Sequence, residues 1–342
     1  MRDLIDLQKK LYPDLIEVMQ QRYTVLHYVD LFQPIGRRGL VENTKLSERS
    51  IRGEIDFLQS QGLIEVTSRG MYITKEGKIT LDKFAVFNNE VMGIRVLESQ
   101  LKEKLHIKEA IVIQGNSDLD EWVKQEMGKA CVTVLRKMAA AGGTIAVTGG
   151  TTMAAVADVM TPLDKNDDLL FVPARGGMDE KVEYQANTIA ATMAKKTNSD
   201  YRLLYVPDPL SEATYQTLLQ EPSIKEKSCI IKGAAIIVHG IGDALTMAKR
   251  RRTTTTVIEK LEKKHAVSEA FGYYFDKEGR VVHQVRTIGI QLEDLKEDKH
   301  VITIAGGASK GAAIVSYFKQ GTSDLFITDE AAAREILRDK PL

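Results

Sequence analysis

A chain of 342 residues is longer than one hydrophobic core usually fills, so two domains are expected, the larger able to bury a sizeable sheet. Its 47 basic and 47 acidic residues cancel, which excludes a long-range pull of the whole molecule toward nucleic acid or an anionic membrane and confines any such binding to local patches. Cys131 and Cys229 are the only cysteines, which excludes a disulfide framework; both fall in helix or strand patterns and read as reduced, buried thiols of an intracellular protein.

At the amino terminus MRDLIDLQKKLYPDL is amphipathic and charged throughout, without the apolar core of a secretion signal, and no later window is apolar for long enough to span a bilayer. A soluble, cytoplasmic protein with no membrane partner is the expectation. Residues 1–88 read as a small first domain of short helical segments. Within it, IGRRGLVENTKLSERSIRGEIDFLQSQGLIEVTSRGMYITKEG predicts a helix with Leu40 and Val41 inward, then a second helix capped by Ser47. Ile51, Ile55 and Leu58 of that second helix lie near one face, with Arg49, Ser50 and Arg52 elsewhere. Two short strands, 63–66 and 71–74, around the tip TSRG complete a winged helix-turn-helix pattern.

The basicity missing from the overall composition is concentrated there: Arg37, Arg38, Lys45, Arg49 and Arg52 stand against Glu42 and Glu48. The start of the second helix, with Ser47, Arg49, Ser50 and Arg52, would enter the major groove, where arginine can donate two hydrogen bonds to a guanine. Arg37, Arg38, Arg69 and the helix amino terminus would hold phosphates, with Lys45 in the same DNA-binding patch. A helical packing module with a solvated basic face is the plainer alternative.

Residues 89–106, NEVMGIRVLESQLKEKLH, place Ile94, Leu97, Leu101 and Leu105 on one helical face, which predicts a connecting helix or one lying on the second domain's surface. From 107 to 342, apolar runs alternate with helical patterns: EAIVI, TIAV, LLFVP, YRLLYVP, AAIIVH, VITIA and DLFITD. Runs of this kind are covered on both faces, so the fold class is α/β with a Rossmann-like parallel sheet. GYYFDKEGRVVH interrupts the alternation as a hairpin turning at DKEG.

In a parallel sheet all carboxyl ends point to one edge, so polar groups after separate strands can converge. Four runs end in glycines: Gly149, Gly150, Thr151 and Thr152; Arg175, Gly176 and Gly177; His239, Gly240, Ile241, Gly242 and Asp243; and Gly306, Gly307, Ser309 and Lys310. Glycine permits close backbone approach, exposed amides at a helix start favour an anion, and Arg175 and Lys310 would add charge-assisted bonds, so a phosphate is the expected guest. One such loop alone would mark only a tight turn. GGASKGAA lacks the spacing of a nucleotide phosphate loop, and no GxGxxG opens a helix with an acid following, so a sugar phosphate is favoured over ATP or NAD. The six histidines show no ligand spacing, and neither a metal nor another cofactor is expected. KRRRTTTT, residues 249–256, is either a solvated helix end or a second anion clamp.

VTGGTTMAAVADVM, FVPARGG, YQANTIAATMA, VHGIGDALTMAKRR, SEAFGYYFDKEGRVVH and AGGASKGAAI, together with IGRRGL and SERSIRGEIDFL, resemble the SorC family of sugar-responsive transcription repressors, essentially from end to end. The resemblance implies a repressor of glycolytic genes that binds operator DNA as a homotetramer, a dimer of dimers. Its effector domain would look like an old sugar-phosphate isomerase or deaminase turned sensor, with fructose 1,6-bisphosphate as inducer. By motif, Gly149, Gly150, Thr151 and Thr152 would hold one phosphate and Lys310 would join the phosphate site. Arg175 and Gln185 would contact the sugar or its phosphates, Arg250 and Arg251 would face the ligand, and Glu269 would take sugar hydroxyls. The alternative is an active phosphosugar isomerase or deaminase using His239 and Asp243, but GIGDALT lacks the histidine that resembling deaminases place in GIGxDGH, so no catalytic residue is assigned.

Overall fold

A computed structural model describes residues 11–44, 46–91, 93–139, 142–163, 169–177, 181–295, 298–320 and 323–338. The chain divides into two compact units between Arg95 and Val96.

The first unit is built on a longer helix than the expected short segments. Helix α1, Pro13–Phe32, runs for 20 residues and buries Val25, Leu26, Tyr28 and Val29. It packs on α2, Arg37–Thr44, and α3, Glu48–Ser60, which follow the predicted helices. Leu40 of α2 and Ile51, Ile55 and Leu58 of α3 are buried, so α3 turns its apolar stripe inward and its arginines outward. Ser47 caps α3, its hydroxyl accepting the Ser50 amide at 3.1 Å. Strands β1, Ile64–Thr67, and β2, Gly70–Ile73, pair antiparallel with Thr67 opposite Gly70, and Ile35 adds a bridge to Met71. Helix α4, Lys75–Val91, occupies positions expected of the wing's end and of the connecting helix.

The single helix expected over 89–106 is therefore two elements, with Gly93, at φ 71°, between α4 and α5, Ile94–Leu105. Ile94, Leu97, Leu101 and Leu105 are all buried. Glu98 of α5 accepts the Val112 amide at 3.0 Å, and Lys104 donates to the Ile336 carbonyl at 2.8 Å, so this helix lies on the second unit's own surface.

The remaining elements follow in chain order: β3, Glu109–Ile113; α6, Glu121–Met138; β4, Gly143–Val147; α7, Thr151–Val159; β5, Leu169–Pro173; α8, Ala186–Thr197; β6, Asp200–Tyr201; α9, Glu212–Leu218; α10, Pro222–Lys232; β7, Ile236–His239; β8, Gly242–Asp243; α11, Ala244–Arg250; α12, Thr255–Lys263; β9, Ser268–Ala270; β10, Tyr273–Phe275; β11, Val281–Gln284; β12, His300–Ile304; α13, Gly311–Phe318; β13, Leu325–Asp329; and α14, Glu330–Arg338. Seven strands form a parallel sheet in the order β3-β13-β12-β7-β4-β5-β6. After β4 the chain winds outward through β5 and β6, then returns at β7 and winds the other way. The gap between the carboxyl ends of β4 and β7 is thus a topological switch point, the place where open α/β sheets leave a crevice.

The sheet's core joins Ile145, Val147, Phe171, Val238, Ile302 and Ile327 to Met127 and Leu135 of α6, Met153 and Val156 of α7 and Met193 of α8. Each such fully buried side chain stabilises the fold by about 1.5–3 kcal/mol relative to exposure, so this layer holds the strand ends in fixed register.

Two sequence expectations need correction. YRLLYVP contributes only Tyr201 to the sheet, as the second residue of β6, and the chain beyond is held instead by single bonds such as Arg202 N to the Phe171 carbonyl at 3.1 Å and Leu204 N to Asn187 Oδ1 at 3.0 Å. The expected 272–283 hairpin forms, turned by Asp276 accepting the Glu278 and Arg280 amides, and is extended into a four-stranded sheet, β11-β10-β9-β8. Cys131 is buried in α6 as expected, whereas Cys229 is exposed, because α10 buries only Ile224 and Ile231 on its inner face.

Candidate functional site

A crevice of about 550 Å³ opens at the switch point. The β4 and β7 ends that flank it are tied together: the Thr148 amide donates to the Val238 carbonyl at 3.1 Å and the Gly240 amide to Thr148 Oγ1 at 3.2 Å. All four glycine-bearing strand ends contribute to its walls, through Thr148–Met153, Arg175, Gly240–Asp243 and the group Gly306, Ser309 and Lys310.

The β4 loop has the form its residues predict. Gly150 is the cap residue of α7 at φ 112°, and a Cβ on Gly149 would stand 2.6 Å from the Tyr184 carbonyl oxygen, so neither position readily takes a side chain. The Gly150 amide is committed to that carbonyl at 2.8 Å, and the first helical bond runs from Ala154 to Gly150. The donors left at the crevice are the amides of Thr151, Thr152 and Met153, reinforced by the positive end of the helix dipole.

Beneath this loop lies a buried charge network. Glu269 Oε1 accepts from Arg251 at 2.7 Å, from the Gly272 amide at 2.7 Å and from Arg175 at 3.3 Å. Arg175 also pairs with Asp208, and Arg251 donates to Tyr274 Oη at 2.8 Å. Burial alone would raise the Glu269 pKa, but the Arg251 and Arg175 charges outweigh it and hold the carboxyl below its ordinary range. Burial opposes the charge on Arg251, but Glu269, with Tyr274 and Asp208, raises its pKa.

Lys310 differs from these cations. Its ammonium makes no hydrogen bond or ion pair among the described residues, and its pKa is lowered, first by burial and then by Arg250 and Lys124, against the opposing charges of Asp118 and Asp329. A half-buried ammonium with no acceptor in hydrogen-bond reach is electrostatically prepared for an anion. Its neighbours on the same loop are already occupied: Asp118 accepts from the Ser309 amide and hydroxyl, both at 2.9 Å, and Asp329 from the Gly307 amide at 2.7 Å. Gly306 and Gly307 therefore accommodate internal carboxylates.

Of the ten residues expected at the ligand, nine line the crevice: Gly149, Gly150, Thr151, Thr152, Arg175, Arg250, Arg251, Glu269 and Lys310. Gln185 does not; it caps α8, with its carbonyl accepting the Ile189 amide at 3.0 Å. Arg250 is exposed at the rim, whereas Arg251 is buried and committed to Glu269 and Tyr274, so the expected pair divides into one rim cation and one internal one. Asp118, Lys124, Asp208 and Tyr274 went unread. For the first two the signal was available, since QGNSDLD after EAIVI is a fifth glycine-bearing strand end.

The suggested acid–base pair has other occupations. His239 is fully buried, its Nδ1 3.0 Å from the Gly240 carbonyl and its Nε2 2.8 Å from Thr303 Oγ1, and burial lowers its pKa to about 4. Asp243 caps α11 by accepting the Thr246 amide at 2.8 Å. No cluster among the described residues could hold a metal ion.

In the first unit Arg37, Arg38, Ser47, Arg49, Arg52 and, at the wing tip, Arg69 are exposed. Ser50 is half-buried, its hydroxyl donating to Gln21 Oε1 at 3.3 Å, which directs it toward α1. Lys45 lies outside the described residues.

Residues 89–338 match the family model described as "Putative sugar-binding domain", and residues 18–87 match the CggR N-terminal DNA binding domain. The Central glycolytic genes regulator of Priestia megaterium is 52% identical over 340 residues, covering 99% of each chain. The protein of the same name from Bacillus subtilis is 48% identical over 340 residues, covering 99% of this chain and 100% of that one. A solved SorC family transcriptional regulator from Enterococcus faecalis superposes with a TM-score of 0.66 at 46% identity, over 70% of this chain and 99% of its own. The chain belongs to the SorC family. The full-length sorbitol operon regulator SorC of Klebsiella pneumoniae, at 18% identity, shares the fold over 95% of this chain and 99% of its own, with a TM-score of 0.66. This SorC-family protein is a transcription regulator with a DNA-binding and a sugar-binding domain rather than an enzyme, and none of its described helices is long and apolar enough to cross a membrane.

Proposed function

We propose that this chain represses glycolytic genes in the cytoplasm and leaves its operator when a phosphorylated sugar, fructose 1,6-bisphosphate, occupies the switch-point crevice. The observation that carries the reading is the unpartnered Lys310 ammonium in a crevice that also presents the first amides of α7. Two separate sources of positive charge suit a ligand with two phosphates, and Glu269 suits the hydroxyls between them. The names of the two half-identical relatives support glycolytic genes as the target.

On the DNA side, Arg49 and Arg52 of α3 would read base edges, with Ser47 holding the helix start and Ser50 bracing it, while Arg37, Arg38, Lys45 and Arg69 hold phosphates. A ligand alters DNA affinity only if it binds operator-competent and operator-incompetent assemblies differently. A homotetramer arranged as a dimer of dimers supplies two such assemblies, since symmetric subunit contacts can repack as units. The test is operator binding at fixed salt with and without fructose 1,6-bisphosphate: a fall in affinity is expected, and equal affinities would refute induction.

A further inference from the structure

The crevice contains two arginines that the sequence pairs with a ligand, yet one of them has no free face. Arg251 has a side chain with no exposed surface, and its two terminal nitrogens are taken by Glu269 and Tyr274. Asp208, equally unexposed, holds Arg175 from the opposite side. Arg251, Glu269, Arg175 and Asp208 thus form a chain of alternating charge whose sum is zero. All the donors that reach Glu269 converge on Oε1; Oε2 takes none of them and lies against Gly242 on the crevice wall.

We propose that Arg251 is a positioning residue: with the Asp208–Arg175 pair it fixes Glu269 so that Oε1 is consumed inside the protein and Oε2 alone is presented to the hydroxyls of the bound sugar. This rests on the crevice being a phosphosugar site, and it divides the labour there. Lys310 and the α7 amides hold phosphates, which many metabolites carry. The Arg251–Glu269 pair reads the hydroxyls between them, which distinguish a sugar from any other bisphosphate.

The groups facing Glu269 set the expected behaviour. They are Arg251 from the end of α11, Arg175 after β5, the Gly272 amide, Tyr274 of β10 and His239 of β7, while Asp208, beyond β6, acts on them through Arg175 and Arg251. With Arg251 replaced by a neutral side chain, Arg175 alone must balance Asp208 and Glu269. A buried excess negative charge is relieved by taking up a proton, and Glu269 is the carboxyl that loses its partner.

The experiment compares the binding of fructose 1,6-bisphosphate with that of hexane-1,6-diol bisphosphate, which carries two phosphates and no ring hydroxyls, to the full chain by calorimetry. The wild type is expected to prefer the sugar by about tenfold or more, the scale of a hydrogen bond to a charged group, with a preference level from about pH 8 to about pH 6. Arg251→Gln is expected to lose most of that preference by weakening the sugar alone, and to lose the remainder as pH falls. Arg251→Lys, which keeps the charge, restores the level profile.

Should Arg251→Gln fail to fold, as judged by circular dichroism, Arg251→Lys and Asp208→Asn carry the test. Asp208→Asn frees Arg175 to turn fully on Glu269 and is expected to reduce the preference for the sugar. Equal loss of both ligands in the Arg251 variants would make Arg251 a phosphate contact, and an unchanged preference in all three variants would remove the positioning role; either result overturns the proposal. If the wild type binds neither ligand, the phosphosugar reading itself fails.

Discussion

Replacing Lys310 by methionine separates a ligand-holding cation from a structural one. In the folded protein its pKa is lowered by burial and by the neighbouring Arg250 and Lys124 charges, which Asp118 and Asp329 only partly oppose. A cation whose folded pKa lies below its unfolded value destabilises the fold at every pH below the folded pKa, because folding then confines a charge that water would solvate better. Lys310→Met should therefore leave the ligand-free melting temperature unchanged or higher. With ligand the sign reverses. A hydrogen bond to a charged group contributes about 1.5–3 kcal/mol, and about 1.4 kcal/mol corresponds to a tenfold change in affinity, so binding should weaken roughly ten- to a hundredfold.

At a fructose 1,6-bisphosphate concentration about a hundred times the wild-type Kd, bound ligand stabilises the native state by about 2.7 kcal/mol. For a unit of this size each kcal/mol raises the melting temperature by about 2–4 °C. The wild type should thus gain about 5–11 °C in differential scanning fluorimetry and Lys310→Met about 1–6 °C, roughly half the wild-type gain or less. A variant that melts lower without ligand and keeps the full wild-type gain with it would refute the reasoning, since Lys310 would then be an ion-pair partner of the fold and no part of the site.

Other consequences are accessible to simpler measurements. Removing the Ser47 cap as Ser47→Ala should cost about 1 kcal/mol in urea unfolding of the amino-terminal unit; no change would mean that the Ser50 amide finds another acceptor. On operator DNA, Arg49→Ala should lose about 1–3 kcal/mol at one base position and relax sequence preference there, while Arg37→Ala should weaken all sequences alike and flatten the salt dependence. Identical footprints for both variants would assign both arginines to phosphates. His239 is buried, and burial lowers its pKa to about 4, below the ordinary imidazole value of about 6.5. Because the unfolded chain binds the proton first, stability should fall as pH drops below about 6.5 and level off near 4, by up to about 3 kcal/mol. His239→Gln should remove that part of the slope, as measured by urea unfolding across the range, and a parallel slope would place the titration elsewhere.

What could be read in advance follows from what periodicity encodes. Parallel strands buried on both faces are continuous apolar runs, and six of the seven are visible as such; in the seventh, YRLLYVP, Leu204 and Val206 are buried, yet the Leu204 amide bonds to the Asn187 side chain and only Tyr201 belongs to the sheet. The glycine-rich strand ends converge because the topology forces them to, so the crevice was legible once the sheet was. Which side chains point into it is a different kind of information. Asp208 sits between prolines with no pattern around it, and its pairing with Arg175 exists only in three dimensions.

The KRRR run shows the limit most sharply. Helix α11 closes with Arg252 at φ 50°, its amide bonded to the Lys249 carbonyl at 3.0 Å and the next amide, of Thr253, to Ala248 at 3.1 Å. That left-handed closure is usually supplied by glycine or asparagine. Here an arginine adopts it, so nothing in a run of identical cations marks where the helix stops. The directions of the arginines are set by the phase of α11: Arg251 continues the buried face of Ala244 and Ala248 and turns onto Glu269, while Arg250 lies at the rim. Helix phase therefore decides which of two neighbouring arginines holds the carboxylate, while the run itself hides where the helix ends.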